Sequence, residues 1–181
     1  MNIPNLITLL RIVLVPVVVI LLIQGFFLRA LIVFIVAGLS DALDGFLARV
    51  LNQQTELGAY LDPIADKALL ASTFITLSVL HIIPGWLTVI VISRDFIILL
   101  GISILSIMSF SVEIRPLFVS KITTAVQLAT VLLALLACSL PEGVPPIWLH
   151  ALYWATALLT IVSGLQYMAR GLKLINHDSK K

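Results

Sequence analysis

Six stretches of this sequence are long and apolar enough to cross a bilayer as helices, and no other feature limits the fold so strongly. A crossing helix needs about 20 mostly apolar residues. Such runs extend roughly over residues 6–24, 28–50, 58–80, 86–110, 118–139 and 147–170. Between them, "QGFF", "LNQQTE", "IIPGW", "SVEIRP" and "LPEGVPP" supply the glycine, proline and polar residues of connections. Of 181 residues, 61% are hydrophobic and 11% charged, whereas soluble domains carry about 25% charged residues. The expected fold is therefore all-α: an integral membrane protein of six transmembrane helices, with residues 1–181 forming a single domain. No internal repeat interrupts it. The first run lacks the basic leader and small-residue cleavage site of a signal peptide, so it reads as a retained first helix. Pro16 within that run is expected to kink it, because the ring removes a backbone hydrogen bond.

Basic residues give the orientation. With six spans both termini share a side with the loops near 51–57 and 111–117. That side holds Arg49, Arg115, Lys121, Arg170, Lys173, Lys180 and Lys181, and the other holds Arg29. By the positive-inside rule both termini are cytoplasmic. The expected location is a cytoplasmic or inner membrane, with the end of the second span and the start of the third at the cytoplasmic face. The tail "ARGLKLINHDSKK" suits an anionic leaflet, and no feature supports a nucleic-acid partner. The lone Cys138 excludes an intrachain disulfide and reads as a small packing residue.

Against this apolar background, "SDALDGFLARVLNQQTELGAYLDPIADKALL" concentrates four aspartates. Asp41 and Asp44 are three apart, and Asp62 and Asp66 four apart, so each pair shares a helix face. A short connection makes the two helices antiparallel neighbours, and the pairs can converge. Crowded carboxylates at low dielectric repel one another until protons or a cation relieve them. An all-oxygen set favours a hard divalent ion such as Mg²⁺ or Mn²⁺, which keeps positions open for phosphates. Gly45, Ala48 and Gly58 offer surfaces for close approach, and Arg49 can meet a phosphate. Structural ion pairs with Lys67, Arg49, Arg94 or Arg11 are an alternative use of these carboxylates, and a cation or proton transporter is another. Pro63 is expected inside a helix that begins near Gly58, as a kink.

The pattern Asp41-x-x-Asp44-Gly45-x-x-Ala48-Arg49, eight residues, then Gly58-x-x-x-Asp62-x-x-x-Asp66 resembles the full signature of the CDP-alcohol phosphatidyltransferases. The resemblance implies transfer of a phosphatidyl group from CDP-diacylglycerol to an alcohol, with release of CMP. It implies a two-metal centre, Mg²⁺ or Mn²⁺, on Asp41, Asp44, Asp62 and Asp66, with Asp66 also the proposed base. It implies a nucleotide and pyrophosphate pocket formed by Gly45, Ala48, Arg49 and Gly58. Asn5 and Thr8, with Arg11 in "NIPNLITLLR", match the segment near the cytidine diphosphate in the phosphoglycerol branches. Members of the family are commonly homodimers, so a homodimer in the lipid bilayer is expected. Prenyl transfer also uses aspartate-bound metals, but its motifs are spaced differently.

Two acceptors fit the resemblance: phosphatidylglycerol, giving cardiolipin, and glycerol 3-phosphate, giving phosphatidylglycerophosphate. The second branch typically carries Arg-Glu and a further arginine on the fourth span, then Gly-Lys at the start of the fifth. Here "ISRDFIILLGIS" has Arg94-Asp95 with no second arginine, and Ser120-Lys121 stands in place of Gly-Lys. These departures resemble the cardiolipin branch. Arg94, Arg115 and Lys121 are the expected acceptor-binding residues. Arg94 is expected to face a cavity, with Asp95 bonding a neighbouring helix, and an ion pair between structural partners is the competing use. Trp86, Trp148, Tyr153 and Trp154 are expected as interfacial anchors, and His81 and His150 as solvated residues on the outer face.

Overall fold

The computed structural model describes the backbone of residues 3–50, 56–107, 118–140 and 145–178, and the side chains of residues 9–40, 65–101, 118–140 and 145–170. Six α-helices make up the described chain: α1 (Ile3–Ile23), α2 (Phe27–Val50), α3 (Glu56–Val79), α4 (Gly85–Ile107), α5 (Phe118–Ser139) and α6 (Pro146–Asp178). Except at the end of α6, their starts and ends follow the apolar runs closely. Among the described residues, Phe118–Ser139 and Pro146–Arg170 are long and apolar enough to cross a membrane, and Leu9–Ile23 and Phe27–Ser40 are shorter apolar segments.

The turn geometry explains why the helices stop where they do. After α1, Gly25 adopts φ 77°, its N–H donating to the Leu22 carbonyl at 3.0 Å and that of Phe26 to Leu21 at 2.9 Å. These two bonds satisfy carbonyls that the helix end leaves open, and glycine takes the left-handed turn without a Cβ penalty. The end of α3 repeats the arrangement with His81 at φ 59°. There His81 donates to Ser78 at 3.0 Å and Ile82 to Leu77 at 2.9 Å.

Proline does not end either helix that contains it. α1 runs through Pro16, and α3 begins at Glu56 and continues through Pro63, as expected for a proline inside the helix. α6 departs from expectation. It has 33 residues, about 50 Å at 1.5 Å per residue, against a hydrocarbon core of about 30 Å. Hydropathy marks where a helix leaves lipid, but the sequence after Arg170 contains no proline, and Leu172, Lys173 and Leu174 favour helix, so the backbone carries on.

The chain falls into two compact units. The first comprises Met1–Ile83 and Val131–Val144, the second Pro84–Thr130 and Pro145–Lys181, so α5 contributes residues to both. In the first unit α1 packs on α2 and α3, which also touch each other. Its core takes Val18 and Leu22 from α1, Ala30, Phe34 and Ala37 from α2, and Leu69, Phe74 and Leu77 from α3. The spacings of four and three along α2 are those of one helix face.

In the second unit α4 packs on α6, and the seam between α5 and α6 is polar. Thr123, Gln127 and Thr130 from α5 are fully buried, as are Thr156, Thr160 and Ser163 from α6. Thr130 and Thr156 share a 2.7 Å hydroxyl contact, and each also donates to its own helix, to Val126 and Leu152. Two protons thus serve three contacts. Thr160 donates to the Thr156 carbonyl at 2.6 Å, so it must accept from Gln127 Nε2 at 3.2 Å. This fixes the Gln127 amide with Oε1 turned away, buried and lacking a hydrogen-bond partner among the described residues.

The outward faces have the opposite character. Leu9, Val13, Val17 and Ile20 of α1, Leu28, Ile32 and Leu39 of α2, Val89 and Phe96 of α4, and Leu158 and Leu165 of α6 are exposed. A water-soluble monomer rarely shows so continuous an apolar surface. Trp86 and Trp154 lie together, with ring centroids 5.1 Å apart, and both are exposed along with Trp148. Tyr153 corrects the interfacial expectation, for it is buried in the second unit beneath that exposed face. His81 and His150 are exposed as expected. Cys138 is exposed on α5.

A left-handed conformation costs a residue with a Cβ about 1 kcal/mol or more. His81→Gly is therefore expected to stabilise the protein by up to about 1 kcal/mol, a rise of about 2–4 °C in Tm. Thermal unfolding of the purified protein in detergent checks this, and a lower Tm would refute it.

Candidate functional site

The aspartate motif is carried by the first unit. α2 ends at Val50 and α3 starts at Glu56, and the two helices are in contact. Asp41, Asp44, Gly45, Ala48 and Arg49 lie on the C-terminal part of α2, and Gly58, Asp62 and Asp66 on the N-terminal part of α3. Helical spacing places Asp41 with Asp44 on one face of α2, and Asp62 with Asp66 on one face of α3. Asn5 and Thr8 lie in the first turns of α1, which packs against both. Three helices of one unit thus carry every residue expected at the metal and nucleotide. Of these residues, only the Asp66 side chain falls among those described.

Asp66 is held by α1. Arg11 Nη1 donates to Asp66 Oδ1 at 2.6 Å, a charge-assisted contact between residues 55 positions apart. The two ends of the pair differ sharply, since Arg11 has no exposed surface while the Asp66 side chain is 44% exposed. Arg11, one of the cations considered as partners for the aspartates, pairs with Asp66. The cation is thus inside the helix packing and the carboxylate at its edge. Arg11 faces the same side of α1 as Val18 and Leu22, spacings of seven and four that place all three inward.

The motif's donor set suits a hard divalent cation. Asp41, Asp44, Asp62 and Asp66 offer only carboxylate oxygens, the preference of Mg²⁺ and Mn²⁺. Asp66 is open enough for an ion to reach, and one of its oxygens is already fixed by Arg11.

The residues expected at the acceptor belong to the second unit, apart from Arg115, which lies outside the described residues. Arg94, on α4, is 4% exposed. Its Nη1 donates to Asp95 Oδ1 at 2.6 Å, and its Nη2 to Ser120 Oγ on α5 at 2.5 Å and Ser163 Oγ on α6 at 2.9 Å. Its Cζ lies 6.0 Å from the centroid of the Tyr167 ring. The Nε–H is buried and has no hydrogen-bond partner among the described residues. Asp95 accepts from the adjacent arginine, the ion pair that was the competing use of these two residues. The residues diverge by about 100° on the helix, and the long guanidinium arm closes that angle. Lys121 is exposed beside Ser120, at a hollow lined by Ser120, Lys121, Thr124, Ala125 and Leu128.

Ser120 and Ser163 as partners of Arg94 were not read from the sequence. A signal was available: Ser120, Thr123, Gln127 and Thr130 recur at spacings of three and four along an otherwise apolar helix, as do Thr156, Thr160 and Ser163. That is the pattern of a polar helix–helix seam.

Comparison with known proteins gives the same residues a family context. A family model described as CDP-alcohol phosphatidyltransferase matches residues 1–162. The chain is 36% identical over 190 residues to a Rattus norvegicus protein named cardiolipin synthase (CMP-forming), covering 96% of this chain and 63% of that one. It therefore spans less than two thirds of that relative's length. It is also 36% identical over 179 residues to a probable phosphatidylglycerophosphate synthase of Mycobacterium tuberculosis, covering 95% and 82% of the two chains. A third relative, from Bacillus subtilis, is named CDP-diacylglycerol--glycerol-3-phosphate 3-phosphatidyltransferase. It is 33% identical over 185 residues, covering 93% of this chain and 94% of its own.

The burial of Arg94 makes a prediction about stability. Removing one partner of a buried pair leaves the other charge stranded, so Arg94→Ala is expected to cost about 3 kcal/mol. Lys121→Ala, at an exposed position nearby, should change stability by less than about 0.5 kcal/mol. Denaturation of the two variants in detergent separates these outcomes, and equal effects would contradict the assignment.

Proposed function

The chain belongs to the CDP-alcohol phosphatidyltransferase family, and we propose that it is an integral membrane enzyme of phospholipid biosynthesis. It transfers the phosphatidyl group of CDP-diacylglycerol to the hydroxyl of a phosphoglycerol acceptor and releases CMP. The observation that carries this reading is the family match over residues 1–162, which contains the whole aspartate motif and reaches into both units. We take residues 1–181 as one catalytic membrane domain of six spans, with both termini and the aspartates at the cytoplasmic face. We place it in a cytoplasmic or inner membrane and assign it as a homodimer.

In this reading the acceptor oxygen forms a bond to the phosphatidyl phosphorus as the bond to the CMP oxygen breaks. Asp41, Asp44, Asp62 and Asp66 would hold Mg²⁺ or Mn²⁺, which would supply neutralisation of charge at the leaving group. Asn5, Thr8, Gly45, Ala48, Arg49 and Gly58 receive the nucleotide and pyrophosphate, the small residues allowing close approach and Arg49 meeting phosphate oxygens. Asp66 takes the acceptor's hydroxyl proton as the new bond forms.

We propose phosphatidylglycerol as the acceptor, bound through Arg94, Arg115 and Lys121, with cardiolipin as the product. The second unit supports the less charged acceptor. Asp95 already offsets the charge of Arg94, and Ser120 and Ser163 occupy Nη2. The donors of Arg94 are thus largely committed, and at 4% exposure little of its guanidinium is open to an acceptor. The phosphate monoester of glycerol 3-phosphate carries nearly two charges and wants more cationic donors than that.

Purified protein given CDP-diacylglycerol, Mn²⁺ or Mg²⁺ and phosphatidylglycerol is expected to release CMP and form cardiolipin. Glycerol 3-phosphate in place of the lipid should give no product. Asp41→Asn and Asp62→Asn should each lower CMP release by about 100-fold or more. Chromatography of nucleotide and lipid products reads all arms. No CMP with either acceptor would refute the reaction, and product from glycerol 3-phosphate alone would reverse the acceptor.

A further inference from the structure

We infer that Arg11 is a positioning residue for Asp66: from inside the helix packing it fixes the orientation in which that carboxylate meets a divalent cation. The inference rests on the proposed function for its activity readout but not for its binding readout. Arg11 has no exposed surface, and its Nη1 lies 2.6 Å from Asp66 Oδ1. Arg11 is sealed inside the packing, and its contact with Asp66 links it to a carboxylate that is open to an ion.

The geometry gives that link a direction. A planar guanidinium donates along fixed lines, so it sets the rotation of the carboxylate as well as neutralising it. Asp66 is 44% exposed while its partner is sealed in, which aims the remaining carboxylate surface away from Arg11 and toward the edge of the packing. Partners of metal-binding side chains act in this way, and losing one typically costs about 10–100-fold in metal affinity or activity.

Arg11 could instead serve as a counter-charge among four carboxylates, and the two roles predict opposite signs. A cation beside a metal site repels the metal, so on charge alone its removal tightens binding. If Arg11 orients Asp66, its removal loosens binding. Arg11→Lys keeps the charge and loses the planar fork, whereas Arg11→Gln keeps an N–H donor and loses the charge. Together they separate orientation from electrostatics.

The experiment titrates Mn²⁺ into the purified full chain in detergent, reading free Mn²⁺ by electron paramagnetic resonance, for the unmodified protein and both variants. Asp41→Asn serves as a control that the ion reports on the acidic cluster. In parallel, CMP release from CDP-diacylglycerol is measured as kcat and KM. We expect each folded variant to bind Mn²⁺ about 10–100-fold more weakly, with kcat falling by a similar factor and KM for CDP-diacylglycerol within about twofold. Tighter Mn²⁺ binding by Arg11→Gln, or unchanged affinity in a folded variant, overturns the inference. A raised KM at unchanged kcat overturns it too, because Arg11 would then act on the nucleotide. So does an unmodified protein that binds no Mn²⁺, or a failure of both variants to fold, which would confine Arg11 to the fold. If the unmodified protein releases no CMP, the proposed reaction fails, while the Mn²⁺ titration still decides the role of Arg11.

Discussion

A charge enclosed within apolar helices must be met by an opposite charge, and each unit of this protein is arranged around one such encounter. Arg11 in the first unit and Arg94 in the second are nearly or wholly without exposed surface, and each donates to a carboxylate at 2.6 Å. Leaving either cation unmatched would cost several kcal/mol. The consequence for the first unit is geometric. Because Arg11 must point inward, the rotation of α1 about its axis is set. Because Asp66 must meet it, the rotation of α3 is set as well. That single ion pair fixes the side of α3 from which Asp66 presents its carboxylate.

The second unit meets the same constraint with hydroxyls as well as charge. Arg94 is tied to Asp95 on its own helix, to Ser120 on α5 and to Ser163 on α6. The buried seam continues through Thr123, Gln127 and Thr130, facing Thr156 and Thr160. Apolar residues gain little from packing on one another when lipid is the alternative, so association among such helices depends on close packing and hydrogen bonds across them. The exposed leucines, isoleucines and valines along the outer faces complete that picture. Polarity runs from hydroxyl-rich inside to hydrocarbon outside, the reverse of a water-soluble domain.

Helix positions were legible in the sequence because apolar runs mark the helices and glycine, proline and polar residues mark the connections. The glycine at position 25 and the prolines beyond position 80 mark connections for reasons that are local in the chain. Legibility failed where position depends on rotation about a helix axis. Tyr153 looks like an interfacial aromatic beside Trp154, yet about 100° of rotation places one inside and the other outside. Arg11 stood among several cations able to pair with the aspartates, but which carboxylate it meets depends on packing against α3, which sequence distance conceals. His81 in a left-handed turn carries no marker, because the usual marker there is glycine. The length of α6 was missed because the end of the apolar run marks the lipid boundary and not the helix boundary. In the candidate site, the aspartate motif could be read through its spacing alone, whereas the polar spacing on α5 and α6 marks a seam without naming Arg94 as the partner of its serines.

The identity at position 120 links this packing to chemistry. Glycine there would leave α5 without a side-chain acceptor, and Arg94 would keep the N–H that now goes to Ser120 Oγ. With serine, the arginine is drawn into a structural network and its freedom to follow a ligand is reduced. Asp95 has a related effect on charge, since its carboxylate lies 2.6 Å from the guanidinium. An enzyme that must gather a phosphate monoester needs mobile, uncompensated cations. One whose acceptor is a phosphodiester already anchored by its acyl chains needs far less, because the bilayer supplies much of the positioning. On this argument, acceptor choice turns less on the number of basic residues nearby than on how many of their donors the fold has already committed.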